Sequence, residues 1–182
     1  MELKTKRLIL REKKKSDFKS IRENINNINV SRYMSVIPHP YTDKDAIWWI
    51  GHSAKKRKEK PRKDYQFGIT IKPSDKVVGG IGLVITNEGG VADIGCWIGE
   101  EYWRKGYVFE ATVRVINYAF DDLKLKKVVL FAAVENVGSN KLIKKLGLKF
   151  VKKKKKALVV ESTGKVHDTN VYEISRDEWN IK

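Results

Sequence analysis

A single cysteine, Cys96, stands in a chain of 182 residues. No internal disulfide can form, and no metal site can be built from paired thiolates. Histidine is nearly as scarce, and His39, His52 and His167 lack the spacing of metal ligands, so no metal is expected. No apolar run approaches the roughly 20 residues that cross a bilayer. The opening MELKTKRLILREKKK holds only a three-residue apolar run, Leu8–Leu10, too short for a secretory signal. A cytoplasmic protein with no membrane partner is expected. No internal repeat and no linker divides the chain, and residues 1–182 read as one domain.

What is present is a globular composition, 41% hydrophobic and 33% charged, with a net charge of +16. Such a charge draws anions, whether nucleic acid, the ribosome or a phosphorylated cofactor. However, 29 of the 38 basic residues are Lys, dispersed along the chain, whereas bidentate phosphate and base contacts favour Arg. The excess is therefore read as compositional, and charge alone does not make the chain a nucleic-acid binder.

The stretch Ala92–Phe109, ADIGCWIGEEYWRKGYVF, organises the rest. An apolar strand ends at Gly99-Glu100-Glu101, and a basic turn, Trp103-Arg104-Lys105-Gly106, follows. From Val108, apolar residues at Ala111, Val115, Ile116, Ala119, Phe120 and Leu123 mark an amphipathic helix. No Ser, Thr, Asp or Asn stands before it to satisfy its first N–H groups. Two cations and a glycine are there instead, which suits an anion such as phosphate beside the positive end of the helix dipole.

Around this stretch the spacing predicts a strand at Arg7–Arg11 and a helix opened by Ser16-Asp17, with Ser16 as its cap, and reaching Asn26. A second helix, capped by Thr42-Asp43, carries Ile47, Trp48, Ile50 and Ala54 on its apolar side. Strands follow at Gln66–Ile71, Val77–Ile85 and Val91–Ile98, the last two joined by a hairpin turn at Asn87–Gly90. Lys127–Val134 is a continuous apolar strand. Because a helix connects it to the preceding strand, the two are expected to run parallel and to wall a cleft. A helix after Asn136 ends at Gly147, and a final hairpin spans Phe150–Val160 and Val166–Ile174. Its run Lys152–Lys156 is expected on an exposed sheet edge, alternating faces, where Lys discourages aggregation.

The order of elements, with IPHPYTDKDA (Ile37–Ala46), ADIGCWIGEEYWRKGYVFEA (Ala92–Ala111), ENVGSNKLIKKLGLKF (Glu135–Phe150) and TGKVHDTNVYEISRDEW (Thr163–Trp179), resembles the GNAT superfamily of acyl-CoA-dependent N-acetyltransferases. It is most similar to the subgroup that includes ribosomal-protein N-terminal acetyltransferases. The resemblance implies an α/β (α+β) fold, with a mixed, mostly antiparallel central sheet, two parallel splayed strands and about four helices. It implies acetyl-CoA as donor. The family's pyrophosphate loop falls on Trp103, Arg104, Lys105, Gly106, Tyr107 and Val108, where only Gly106 keeps the strict pattern and backbone N–H groups carry the binding. Cys96, Trp97 and Ile98 lie on the strand that pairs with the pantetheine arm, so Cys96 reads as a small core residue. Asn136 matches the asparagine that contacts that arm, and Ser139 follows at the subgroup's serine spacing near the thioester. Ile143 stands where many members carry a tyrosine acid.

Direct transfer needs an amine without its extra proton, and amines like the Lys side chain have a pKa of about 10, so a base or water chain must act. Asp93 is the first candidate, Glu135 the second, and Ser139 the candidate acid. Glu100 and Glu101 end the same strand. A protein or peptide N-terminal amine, such as that of a ribosomal protein, is the preferred acceptor, since a +16 surface repels polycations such as polyamines and aminoglycosides. A CoA-dependent sensor without catalysis and a basic nucleic-acid-binding or ribosome-binding module are the rival classes. The latter is disfavoured because the aromatics fall on predicted core positions rather than on one face. Monomer and homodimer both stay open.

Overall fold

A computed structural model describes residues 1–86 and 90–179. Apart from Gly90, the expected hairpin turn at Asn87–Gly90 lies outside the described residues. Eight strands form one sheet: β1 (Glu2–Lys4), β2 (Leu8–Arg11), β3 (Asp64–Ile71), β4 (Val77–Ile85), β5 (Val91–Ile98), β6 (Lys127–Ala133), β7 (Lys149–Val159) and β8 (Val166–Ser175). Their spatial order is β1-β2-β3-β4-β5-β6-β8-β7. Every neighbouring pair is antiparallel except β5–β6, which is parallel. Among the described residues no helix is long and apolar enough to cross a membrane.

Helices cover both faces. On one, α1 (Phe18–Ile25) and α3 (Asp43–Arg57) bury Ile21, Ile25, Ala46 and Ile50 with Val77 of β4. On the other, α4 (Tyr107–Asn117) and α5 (Val137–Lys145) bury Ala111, Val115, Ile116 and Ile143 against Leu83, Ile94 and Val128. The helix predicted through Leu123 continues past α4 as a wider turn, Tyr118–Asp122, in a π-type winding. A fifth helix, α2 (Ile28–Ser31), arises in the Asn-rich connection. The Asn27 side chain caps it by accepting the Asn29 N–H at 2.9 Å, a use that Asn shares with ordinary turns and that spacing alone does not reveal.

Two expectations about the helices change. The start of α1 is fixed by Asp17 rather than Ser16: the buried Asp17 carboxylate accepts the Lys14 N–H at 2.6 Å and both terminal nitrogens of Arg11 at 2.8 and 2.9 Å. Thr42 does cap α3, in a reciprocal box with Asp45. However, Ile47 and Trp48 stand outside, 55% and 64% exposed, because Ala46 and Ile50 take the inward face. Trp48 is two residues from each, about 200° around the helix.

Strand β7 is the outer edge of the sheet and its lysines are exposed. Their alternation is broken by a bulge, since Lys154 pairs with Thr169 but Leu158 pairs with His167. Asp168 holds the bulge by accepting the Lys156 N–H at 2.9 Å and pairing with Lys153 at 3.0 Å.

Candidate active site

The sheet opens at the parallel seam between β5 and β6. Pairing of β5 with β6 ends at Asp93↔Val129. Beyond it, β5 runs on to Ile98 against β4, while β6 runs on against β8. The backbone phase shows what faces the gap. The Gly99 N–H donates to Val78 O at 2.9 Å, and Ile98 sits opposite Gly79, so the polar groups of Trp97 and Gly99 turn to β4. Those of Cys96 and Ile98 turn into the gap. The Ile98 carbonyl accepts the Trp103 indole N–H at 2.9 Å. The Cys96 N–H and C=O and the Ile98 N–H remain along an open strand edge, which suits an extended amide-bearing chain.

At the head of this gap α4 begins without a side-chain cap. Its first intrahelical bond runs from the Glu110 N–H to Gly106 O, which leaves the Tyr107, Val108 and Phe109 N–H groups without intrahelical acceptors. Arg104 and Gly106 both take left-handed backbone, with φ of 60° and 79°, so the turn folds back as a concave run of N–H groups beside the helix dipole. Arg7 braces it. Its guanidinium donates to Lys105 O at 3.0 Å and Glu110 Oε2 at 2.6 Å, and lies 4.6 Å over the Tyr107 ring. Burial pushes the Glu110 carboxyl up, but hydrogen bonds from Thr5 and Arg7 outweigh this and hold it below its ordinary value. In the sequence Arg7 marks only the start of an expected strand, because a brace to Lys105 and Glu110 leaves no local signal.

The facing wall is the start of α5. Asn136 caps it, accepting the Ser139 N–H at 3.1 Å. Buried Asn140 locks this end in place. It donates to Ala133 O and Asn136 O, both at 2.8 Å, and accepts from Asn170 at 2.9 Å and the Tyr172 hydroxyl at 2.8 Å. All four of its hydrogen-bonding capacities are used. Ile143 is 3% exposed in the main core, so that position carries packing and no proton.

On the face turned to α1 and α3, the same seam makes a trough. Strand alternation puts Asp93, Gly95 and Trp97 there, with Phe131 of β6 beside them. Phe131 is 50% exposed although its strand has neighbours on both sides, and Gly95 has no atom within 4 Å of where a Cβ would stand. Trp97 lies over Gly80, where a Cβ would come within 2.5 Å of its indole nitrogen. Burial pushes the Asp93 carboxyl up, with the charge of Lys154 pulling it partly back. At the end of β6, Glu135 Oε2 lies 3.2 Å from His167 Nδ1, and the His167 ring meets Tyr33 edge-on at 5.4 Å. The sequence does not announce this His–Glu pair, because its members lie on different elements. Glu100, by contrast, accepts from Asn27 and Asn29 at 2.5 and 3.1 Å and ties α2 to the end of β5.

Cys96 points away from the trough to Thr112 on α4. Burial pushes its thiol up to about 11, only partly offset by the Thr112 hydroxyl, so thiolate is scarce at neutral pH. Native protein at pH 8 should react with iodoacetamide at least tenfold more slowly than urea-unfolded protein, read by intact mass. Equal rates would contradict the burial. Among the described residues no group of three or more His, Cys, Asp or Glu could hold a metal ion.

Known proteins are similar to this chain in sequence or in fold. The family model described as "Acetyltransferase (GNAT) domain" matches residues 7–149. YoaA of Bacillus subtilis (strain 168), named as an uncharacterised N-acetyltransferase, is 31% identical over 173 residues, covering 94% of this chain and 95% of its own. The ribosomal-protein-S5-alanine acetyltransferase of Vibrio fischeri superposes with a TM-score of 0.82 at 18% identity, over 100% of both chains. The microcin C7 self-immunity acetyltransferase MccE, solved with acetyl-CoA and AMP, superposes with a TM-score of 0.81 at 22% identity, over 94% of this chain and 93% of its own.

Proposed function

This chain belongs to the GNAT family of acetyltransferases, and from that premise we propose that it moves an acetyl group from acetyl-CoA to the N-terminal α-amine of a protein or peptide. In this reading residues 1–182 act as one catalytic domain in the cytoplasm. The observation that carries the reading is the alignment of two unsatisfied features at one seam: the open Cys96–Ile98 edge and the uncapped turn before α4. The first fits the amides of a pantetheine arm. The second fits a pyrophosphate, held by the N–H groups of Arg104–Val108 with Arg104 and Lys105 adding charge. Asn136 and Ser139 line the opposite wall.

Acetyl-CoA supplies an activated thioester. The chain's residues do the rest. Asp93 takes a proton from the incoming amine as the C–N bond forms, its raised pKa making it a better base than an exposed carboxylate. The N–H donors of the open β5 edge stabilise the developing oxyanion. The C–S bond then breaks, and Ser139 or water returns a proton to the sulfur. Glu135, paired with His167, is the second candidate base. The positive surface disfavours a polyamine. The S5-alanine acetyltransferase of the same fold supports a ribosomal protein as one such acceptor.

An acceptor panel tests this, with thiol release measured for a lysine-free peptide bearing a free α-amine, its blocked counterpart carrying one lysine, and spermidine. The free α-amine should give the highest kcat/KM by at least tenfold. Preference for spermidine would overturn the assignment in favour of a small-amine enzyme.

Asp93→Asn should lower kcat roughly 100-fold. The same variant carries a stability signature. A carboxyl whose folded pKa is raised costs stability that develops as pH climbs from the unfolded value, about 4, through the folded one. Asp93→Asn should therefore be more stable than the parent at pH 7, with the gain fading as pH falls below about 4. Urea unfolding across pH reads this. An unchanged kcat with the gain present would leave Asp93 structural and move the base to Glu135.

A further inference from the structure

The helix α3 carries a feature that acetyl transfer does not use. Trp48 is 64% exposed and stacks on His52, with ring centroids 5.0 Å apart and planes at 17°. Trp49 lies on the same imidazole at 5.7 Å and 15°, and Lys13 stands 5.7 Å over the Trp49 ring. The adjoining Ile47 is 55% exposed. Helical spacing puts Lys44 four residues before Trp48 and Lys55 three residues after His52, on the same stripe. From Lys55 the chain runs on as KKRKEKPRK. Within that run Lys56 pairs with Glu59 and Arg57 with Glu12, whereas Lys44, Lys55, Lys58 and Lys60 form no ion pair among the described residues.

An exposed indole backed by a second planar ring costs the protein apolar exposure without serving the core, since Ala46 and Ile50 fill the inward face. Its outer face is flat, aromatic and flanked by unpaired cations. A second copy of the chain would bring the same lysines against one another. A partner with flat π faces on an anionic backbone complements both properties. We propose that the Trp48–His52 platform of α3 is a stacking site for single-stranded nucleic acid, with Lys44 and Lys55 meeting the flanking phosphates. The aromatics expected in the core are thus partly gathered on one basic face, the arrangement a nucleic-acid surface requires.

The test must separate stacking from the general attraction of a +16 protein for polyanions. Fluorescence anisotropy would compare labelled single-stranded RNA and DNA dodecamers with an abasic strand of equal length and charge, using the full chain and its Trp48→Ala and Lys44→Ala/Lys55→Ala variants. The base-bearing strands should bind roughly tenfold tighter than the abasic strand, and Trp48→Ala should remove that preference. The double lysine variant should weaken all strands alike and flatten the salt dependence by about two counterions. Trp48 is exposed, so Trp48→Ala should keep the parent's melting temperature and acetyl transfer. Equal binding of abasic and base-bearing strands, or unchanged binding by Trp48→Ala, would overturn the proposal. So would a dimer in sedimentation that Trp48→Ala dissolves, which would make the patch a self-association face.

Discussion

Replacing Gly106 by Asp is expected to raise the KM for acetyl-CoA about 100-fold while leaving the protein folded. Gly106 sits at φ 79°, where any other residue is strained by about 1–2 kcal/mol, and its Cβ would stand 3.3 Å from Arg7 Nη2. More important is the charge. A negative group set against a bound pyrophosphate within a few ångströms costs about 3 kcal/mol at an effective dielectric of about 20. The same charge favours the helix dipole, so the melting temperature should fall by only a few degrees. Gly106→Ala carries the strain without the charge, and about tenfold is expected of it. Steady-state kinetics with varied acetyl-CoA checks both. A KM unchanged in Gly106→Asp would mean that the turn before α4 does not hold the donor.

The second large effect concerns stability. Arg11 is 6% exposed, and its guanidinium serves Asp17 on two sides, Asp75 Oδ1 at 2.5 Å and Asp75 O at 2.8 Å. The bond to Asp17 holds the guanidinium's pKa above its ordinary value against the opposing pull of burial. This pair joins β2 to the start of α1 and to the β3–β4 turn, and α1 in turn roofs the trough through Asn24, which donates to Val77 O at 3.2 Å. Arg11→Ala leaves the Asp17 carboxylate buried with the Lys14 N–H as its remaining strong donor. Breaking such a pair costs about 3–5 kcal/mol, a large share of the 5–15 kcal/mol available to a domain. Urea unfolding should show that loss, and Arg11→Met with Asp17→Leu should recover most of it. A loss below about 1 kcal/mol would show that the pair contributes no more than a surface bridge.

Much of this architecture could be read from the chain. Strands β4 and β5 begin and end where apolar runs meet glycine and turn residues, and the parallel seam followed from a helix joining two apolar strands. The uncapped start of α4 was legible because a missing cap is a local property of three or four residues. What escaped is not local. Trp48 lies in the unbroken apolar run Ala46–Ile50, where periodicity cannot choose a face, and packing of Ala46 and Ile50 against α1 and the sheet decides it. Arg7, Asn140 and His167 work through partners on other elements, Glu110, Tyr172 and Glu135. Ser16 is the cap expected from local sequence, whereas the buried Asp17 carboxylate turns back to Arg11 and the Lys14 N–H, and no side chain caps α1.

Calorimetric titration of acetyl-CoA into the wild-type protein at two salt concentrations tests the central claim most directly. Saturable binding at one site per chain is expected, weakened as salt screens the phosphates from Arg104, Lys105 and the helix dipole. A folded protein that takes up no acetyl-CoA at either salt would contradict it.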